Sequence, residues 1–355
     1  MADEARQARR VTISDIATRA GVSKGAVSYA LNDRPGLSPA TRRKILDIAD
    51  ELGWYPNRAA RSLSAARANA CGLVLARPAK TLAIETFWLE FIAGVESTLA
   101  KRSVALTIQL VDDLRDELDV YRRWWGEHRV DGVLIVDPRI TDPRFEELER
   151  RGLPAVVVGG PLKTGRIPAI WHDESETVAE VVRYLAALGH RRLARVGGLQ
   201  SFLHSRLRGR AFTRAARGLG LEADDVDTDF TPETGARVTR QLLSKPKRPT
   251  AIVYDSSVLG VTGLGVAQEM GFAVPDDLSI VAWDDSLICQ VVRPPLSAVT
   301  RDIGAYGEAA ATRLLAEIDG TGRGDVQAPR GVLTPRGSTA APRRAAARRA
   351  QRLAR

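Results

Sequence analysis

Four residues in the second half of the chain carry the chemistry of a polyol site. Asp284 follows the apolar run SIVAW, Asp255 and Ser256 follow AIVY, and Arg208 stands at the start of a stretch with helical periodicity. A carboxylate at a strand end can accept two hydroxyl hydrogen bonds, and a guanidinium can fork onto vicinal hydroxyls. Trp283, next to Asp284, has a face suited to the apolar side of a sugar ring. Catalysis is not expected: there is no G-x-S-x-G elbow at a strand end, no phosphate-binding lysine loop and no H-x-x-x-H pair. The glycines of GVTGLG at 260–265 fall inside a helical pattern rather than between strand and helix. No cofactor is expected. Cys71 and Cys289 lie far apart, with no further Cys or His at metal-binding spacing, and are expected to be idle thiols.

A second chemistry lies near the N-terminus, in TISDIATRAGVSKGAVSYALNDR at 12–34. Ser14 is suited to cap a first helix in which Ile16, Ala17 and Ala20 form an apolar stripe closed by Gly21. Ser23 is suited to cap a second helix. There Ala26, Val27, Ala30 and Leu31 share one face, and Lys24, Gly25, Ser28 and Tyr29 are left outside. Ser38 and Pro39 start a third helix with Ile45, Leu46, Ile48, Ala49 and Leu52 as its apolar face. Two short helices joined by a Gly-containing turn are the helix-turn-helix pattern, whose second helix enters a major groove.

Charge supports a polyanion partner. The formal net charge is +9. Residues 1–67 hold 12 Lys/Arg against 7 Asp/Glu and residues 330–355 hold 8 Arg and no acid, so the basic excess sits at the two ends. Basic ends release condensed counterions on binding nucleic acid. With 355 residues the chain can build two or three packed domains. It contains no long apolar run, and its first ten residues carry arginines but no apolar core, so neither a membrane span nor a secretory signal is expected and the cytoplasm is the expected location.

Between the basic ends, CGLVLA, VALTIQLV, DGVLIV and PAVVVG are β-branched runs separated by helical stretches near 87–102, 116–128 and 143–152. The rhythm restarts with RLARVGG, TAIVYD and LSIVAWD, alternating with helices near 174–188, 206–219, 233–243 and 258–270. Apolar strands alternating with amphipathic helices imply parallel sheets covered on both faces. Two such units side by side leave a cleft at their strand ends.

The pattern TISDIATRAGVSKGAVSYALN followed by GWYPNRAARSL resembles the DNA-binding headpiece of the lactose repressor/galactose repressor (LacI/GalR) family, and the similarity extends to LTPRGSTAAP near 342. The fold this implies is an all-α helix-turn-helix headpiece joined to an α/β core of two Rossmann-like subdomains, of the type I periplasmic-binding-protein kind. Residues 1–10 are then a disordered extension, 11–56 the headpiece, and 57–70 a hinge helix and linker. The core spans 71–341, with one subdomain at about 71–168 plus 299–328 and the other at about 169–298 plus 329–341. Residues 342–355 form a basic tail.

The resemblance also implies roles residue by residue. Lys24, Gly25 and Tyr29 occupy base-reading places, although Gly25 departs from the family in having no side chain to read with. Thr12, Ser14, Ser28, Asn32, Ser38 and Asn57 match phosphate contacts, which position without specifying. In the hinge, Leu63 matches a leucine wedge for the minor groove, and Ala60 is small enough for two hinge helices to approach. A helix of about eight residues is too short to persist alone in water, so it should order only on DNA. Arg208, Ser256 and Asp284 fall on effector-binding places, and Phe87, Trp88, Phe91 and His172 on pocket-lining ones. Gly160 stands where lactose-type members have an aspartate, so the ligand is not held identically.

The implied protein is a ligand-responsive regulator, a repressor, that binds a palindromic operator in double-stranded DNA as a homodimer and senses a sugar-like effector. The tail AAPRRAAARRAQRLAR has no leucine heptads, which favours a dimer over a tetramer. The rival reading is a two-lobed sugar-binding protein with no DNA role. It leaves the helix-turn-helix without a purpose.

Overall fold

The computed structural model describes residues 11–54, 67–77, 82, 84–162 and 165–343. The chain divides into two units, Met1–Arg67 and Ala68–Arg355.

In the first unit three helices, α1 (Ile13–Ala20), α2 (Lys24–Leu31) and α3 (Pro39–Glu51), enclose a small core of Ile16, Ala17, Ala20, Val27, Ala30, Ile45 and Ala49. The cap of α1 differs from expectation. Thr12, not Ser14, precedes the helix, and the Asp15 carboxylate accepts from the Thr12 backbone N–H at 2.8 Å and from its hydroxyl at 2.7 Å. Ser14 lies inside the first turn, where its carbonyl accepts from Thr18. A carboxylate in the first turn also complements the helix dipole, which a serine cannot do. Gly21 ends α1 at φ 70°, Ser23 caps α2 by accepting from the Ala26 N–H at 3.1 Å, and Ser38 caps α3 ahead of Pro39. Leu46, expected on the buried face of α3, is exposed; Ile45 and Ala49 hold that face.

The second unit contains two six-stranded sheets. The first has the order β11-β5-β4-β3-β1-β2 and is parallel throughout: β1 (Ala70–Ala76), β2 (Ala105–Val111), β3 (Gly132–Ile135), β4 (Ala155–Val158), β5 (Ala169–Trp171) and β11 (Val326–Gln327). One face carries α4 (Thr86–Ala100) and α12 (Ile303–Ile318), the other α5 (Leu114–Gly126) and α6 (Pro143–Arg151). The second sheet has the order β12-β10-β9-β8-β6-β7: β6 (Arg192–Gly197), β7 (Glu222–Asp227), β8 (Ala251–Tyr254), β9 (Ser279–Trp283) and β10 (Ser297–Thr300) are parallel, and β12 (Val332–Thr334) runs antiparallel. Its helices are α7 (Glu174–Ala187) and α8 (Leu203–Gly218) on one face, with α9 (Pro232–Leu243), α10 (Ser257–Glu269) and the short α11 (Leu287–Val291) on the other. GVTGLG lies within α10, as the periodicity predicts.

Two subdomain boundaries shift. β5 pairs with β4, so the first subdomain runs to Trp171 rather than ending at 168; β10 pairs with β9, so the return crossing follows Thr300 rather than 298. A β-strand belongs to the sheet that satisfies its backbone, which sequence runs alone do not reveal. The chain therefore crosses between subdomains at 172–173, 301–302 and 328–331, and these crossings border the cleft.

The packing of α4 on α12 fixes one wall of that cleft. A Cβ on Gly94 would lie 2.0 Å from the carbonyl oxygen of Gly304, and one on Gly307 2.2 Å from that of Phe91. Only glycine lets these two backbones touch. The close approach sets Phe91 and Tyr306 with ring centroids 6.0 Å apart.

Candidate functional site

On α2, Lys24 and Gly25 are exposed and Tyr29 is 44% exposed, while Val27 and Ala30 face the core. This is the orientation a reading helix requires. The Lys24 ammonium has no ion pair among the described residues. Several expected phosphate ligands are already engaged locally. The Asn32 amide donates to the Ser28 carbonyl at 2.9 Å, the Thr12 hydroxyl donates to Asp15, and the Ser38 hydroxyl accepts from the Thr41 N–H at 3.2 Å. Asn57, Ala60 and Leu63 lie outside the described residues.

In the second unit the C-terminal ends of both sheets meet at a cavity of about 110 Å3. Arg77 follows β1, Asp137 follows β3, Gly159 and Gly160 follow β4, and His172 follows β5; Asp255 and Ser256 follow β8, Asp284 follows β9, and Arg301 follows β10. The starts of α4, α7 and α8 add Phe87, Trp88, Phe91, Glu174, His204 and Arg208, and Tyr306 comes from α12. Expected residues Phe87, Trp88, Phe91, His172, Arg208, Asp255, Ser256 and Asp284 all line this one space.

Trp283 does not. It is 2% exposed and packs in the core beneath α7 and α8, and the Arg208 guanidinium sits over its ring at 4.6 Å. Its side chain leaves the sheet on the covered face, so it supports Arg208 rather than a ligand. Asp255 is also more constrained than expected. Both of its oxygens accept from the fully buried Arg195, which also donates to Asp225 at 2.7 Å and to the Ser205 carbonyl at 2.9 Å. The Ser256 hydroxyl caps α10 by accepting from the Leu259 N–H at 3.2 Å, which leaves its proton for a ligand.

The remaining acids are matched by arginines. Arg208 holds Glu174 through two bonds of 2.7 and 2.6 Å, Arg301 donates to Asp284 at 2.7 Å and to Glu174 at 3.2 Å, and Arg77 bridges Asp137 at 2.8 Å and Glu85 at 3.2 Å. Burial opposes ionisation of Glu174, but Arg208 and Arg301 overcome it and hold its carboxyl at about 2. For Glu85 burial prevails over Arg77 and its pKa rises.

His172 has a defined tautomer. Its Nδ1 lies 2.6 Å from the Pro329 carbonyl oxygen, which can only accept, so Nδ1 carries the proton. Nε2 is then a lone-pair acceptor, and it is buried with no partner among the described residues. Burial, followed by the Arg301 charge, lowers the His172 pKa and keeps the ring neutral.

Arg77, Glu85, Asp137, Glu174, His204, Phe230, Arg301 and Tyr306 were not singled out from sequence. Arg77 and Asp137 follow the apolar runs GLVLA and GVLIV as Asp284 follows SIVAW, so the strand-end signal was present for both. Glu174, Arg301 and Tyr306 carry no short-range signal; the crossings between sheets bring them in.

Residues 12–57 match the family described as bacterial regulatory proteins, lacI family, and residues 182–339 match the periplasmic binding protein-like domain. The HTH-type transcriptional regulator CelR of Thermobifida fusca is 30% identical over 317 residues, covering 88% of this chain and 93% of that protein. The chain belongs to the lacI family. Among solved structures, a LacI family transcriptional regulator from Bifidobacterium animalis subsp. lactis aligns with TM-score 0.72 at 34% identity, covering 78% of this chain and 99% of that one. A CelR–cellobiose complex aligns with TM-score 0.71 at 27% identity, covering 93% and 100%. As a lacI-family member, the protein is a DNA-binding transcription regulator with a helix-turn-helix unit and a two-subdomain α/β core. Among the described residues no helix is long and apolar enough to cross a membrane.

Proposed function

We propose that this regulator is a cytoplasmic repressor that binds a palindromic operator as a homodimer and responds to a neutral sugar in the cleft between its subdomains. The observation that carries the effector reading is the strand-end cluster itself. Asp284, Arg208, Arg301 and Glu174 offer hydroxyl-binding groups beneath the aromatic wall of Phe87, Trp88 and Phe91. The lining arginines Arg77, Arg208 and Arg301 are all engaged by the cavity's own acids, and Asp255 by Arg195, so no lining arginine is left free to hold an anionic effector. A polyol instead inserts donors and acceptors between existing ion pairs. The relative solved with cellobiose supports a saccharide.

DNA recognition rests on Lys24 and Tyr29 in the major groove, with Gly25 close to the bases but reading nothing. Thr12, Ser14, Ser28, Asn32, Ser38 and Asn57 contact phosphate, and Leu63 enters the minor groove beside Ala60. For the dimer, Leu89 at 73%, Leu287 at 72% and Val291 at 59% exposure are large apolar side chains that a second copy would cover. Effector binding changes the separation of the two hinge segments and melts them, and operator DNA must change effector affinity by the same factor.

The test is fluorescence anisotropy of the full chain on operator DNA taken from its mapped genomic binding sites, titrated with neutral sugars, sugar phosphates and uronic acids. A response confined to neutral sugars supports the reading. A response to the anionic compounds alone refutes it.

A further inference from the structure

The cavity at the strand ends is small for a ligand. Ligand pockets commonly span about 300–1,000 Å3, and this one measures about 110 Å3. It does not end there. Arg77 and Phe230 line it and also line a groove of about 710 Å3 that opens outward between the subdomains. The two spaces share a threshold: the Arg77 guanidinium lies over the Phe230 ring at 5.3 Å and over the Phe202 ring at 5.1 Å. The walls on either side are tied together at the rim, where the Leu203 N–H donates to the Pro138 carbonyl at 2.8 Å and Arg139 bridges Phe202. Inner cavity and outer groove thus adjoin between the subdomains with the buried Arg77 side chain packed between them, so a ligand that spans both must displace Arg77 from its rings.

The outer groove has the surface a sugar ring needs. Leu118 on α5 and Leu199 beyond β6 are apolar, one on each subdomain. Between them are polar groups with unused capacity. The Asp112 carboxylate is exposed and makes no hydrogen bond or ion pair among the described residues, and Nε of Arg139 is buried with no partner among them. A buried donor without a partner is costly and marks a place that a ligand or water completes. Phe87, Trp88, Phe91 and Tyr306 wall the inner cavity on one side, and the outer groove offers a longer ligand room on another.

We propose that the effector is an elongated neutral saccharide of at least two rings, with its terminal ring in the inner cavity and the next ring in the outer groove over Leu118 and Leu199. Asp112 accepts from a hydroxyl of this outer ring and Arg139 donates to one. The proposal rests on the sugar reading above and adds the length of the ligand.

Calorimetric titration of the full-length protein with glucose, galactose, cellobiose, lactose, maltose, cellotriose and maltotriose tests it. At least one disaccharide is expected to bind tenfold or more tightly than either monosaccharide it contains. Leu118→Trp, which fills the groove, should weaken that disaccharide at least tenfold and leave its monosaccharide within twofold. Leu199→Trp, on the opposite wall, repeats the measurement should the first variant fold poorly. A monosaccharide that binds as tightly as its disaccharide, or disaccharide affinity unmoved by both tryptophans, overturns the outer site and leaves the sugar reading standing. No binding by any of the seven sugars overturns both.

Discussion

Arg301 Nε donates to Asp284 Oδ1 at 2.7 Å, so the acid best placed for a sugar hydroxyl is already paired in the protein's own structure. A ligand must compete with or share this bond. Asp284, at φ 66°, is held in a backbone region that side-chain-bearing residues seldom adopt, and its place at the end of β9 is set by tertiary structure rather than by preference.

Asp284→Asn keeps the shape and removes the charge. Effector affinity should fall about 10–100-fold, the loss expected for a charge-assisted hydrogen bond, while operator binding by the effector-free protein stays within twofold. Anisotropy on operator DNA with the sugar that binds the wild type measures both. A normal sugar response in the variant would place the effector elsewhere.

The strand-end rule explains what was readable from sequence. Asp284, Asp255 and Ser256 stand directly after uninterrupted apolar runs, the mark of parallel strands covered on both faces. Trp283 misled because neighbouring strand residues point to opposite faces, and its side chain supports Arg208 from below. β7 was not legible: EADDVD is acidic with little apolar content, as an edge strand paired only to β6 can be. The partners of the pocket acids lie far away in sequence. Arg301 is 127 positions from Glu174 and meets it only because the chain crosses between subdomains twice nearby. In the headpiece the helix limits were legible from caps, but Asp15 took over a role that Ser14 was suited to.

His172 lines the cavity and its buried Nε2 acceptor has no partner among the described residues, so if a ligand hydroxyl completes it, His172→Phe should weaken the effector about tenfold, the value of one buried hydrogen bond left unmade. Its pKa is lowered, so the acceptor is present throughout neutral buffers and is lost only when acid protonates Nε2. Wild-type affinity should be level from pH 8 down to 6.5 and decline below that, and the Phe variant should lack the decline. An affinity that rises in acid would mean that the ligand accepts from His172 instead.

His190 is buried, with Nδ1 2.9 Å from the Thr250 hydroxyl and Nε2 3.0 Å from the Ala340 carbonyl, and burial lowers its pKa to about 4. A base whose folded pKa lies below its unfolded value of about 6.5 binds its proton more readily unfolded. Its contribution is complete above pH 6.5 and is lost as pH falls toward 4, on the order of 3 kcal/mol in all. Urea midpoints of wild type and His190→Gln from pH 7 to 4 check this: the variant should be less stable at pH 7 and show a shallower decline. Equal slopes would remove His190 from the account.

Leu63→Ala addresses the hinge, which lies outside the described residues. An apolar wedge acts only where the duplex is bent at the operator. Specific binding should therefore weaken by at least tenfold while binding to random duplex stays within twofold, measured by competition at fixed salt. Equal losses on both duplexes would dispose of the wedge.

Gly25 sits in the exposed first turn of α2, and a Cβ built on it meets only the Ser23 hydroxyl oxygen, at 3.8 Å. No packing requires the glycine, so Gly25→Ala should stabilise the headpiece by about 0.8–1 kcal/mol through helix propensity alone. Because glycine has no side chain to read a base, operator affinity should stay within about threefold. A loss beyond tenfold, with the thermal midpoint raised as expected, would mean that the backbone at Gly25 itself lies against the duplex and that the glycine is there to permit that approach.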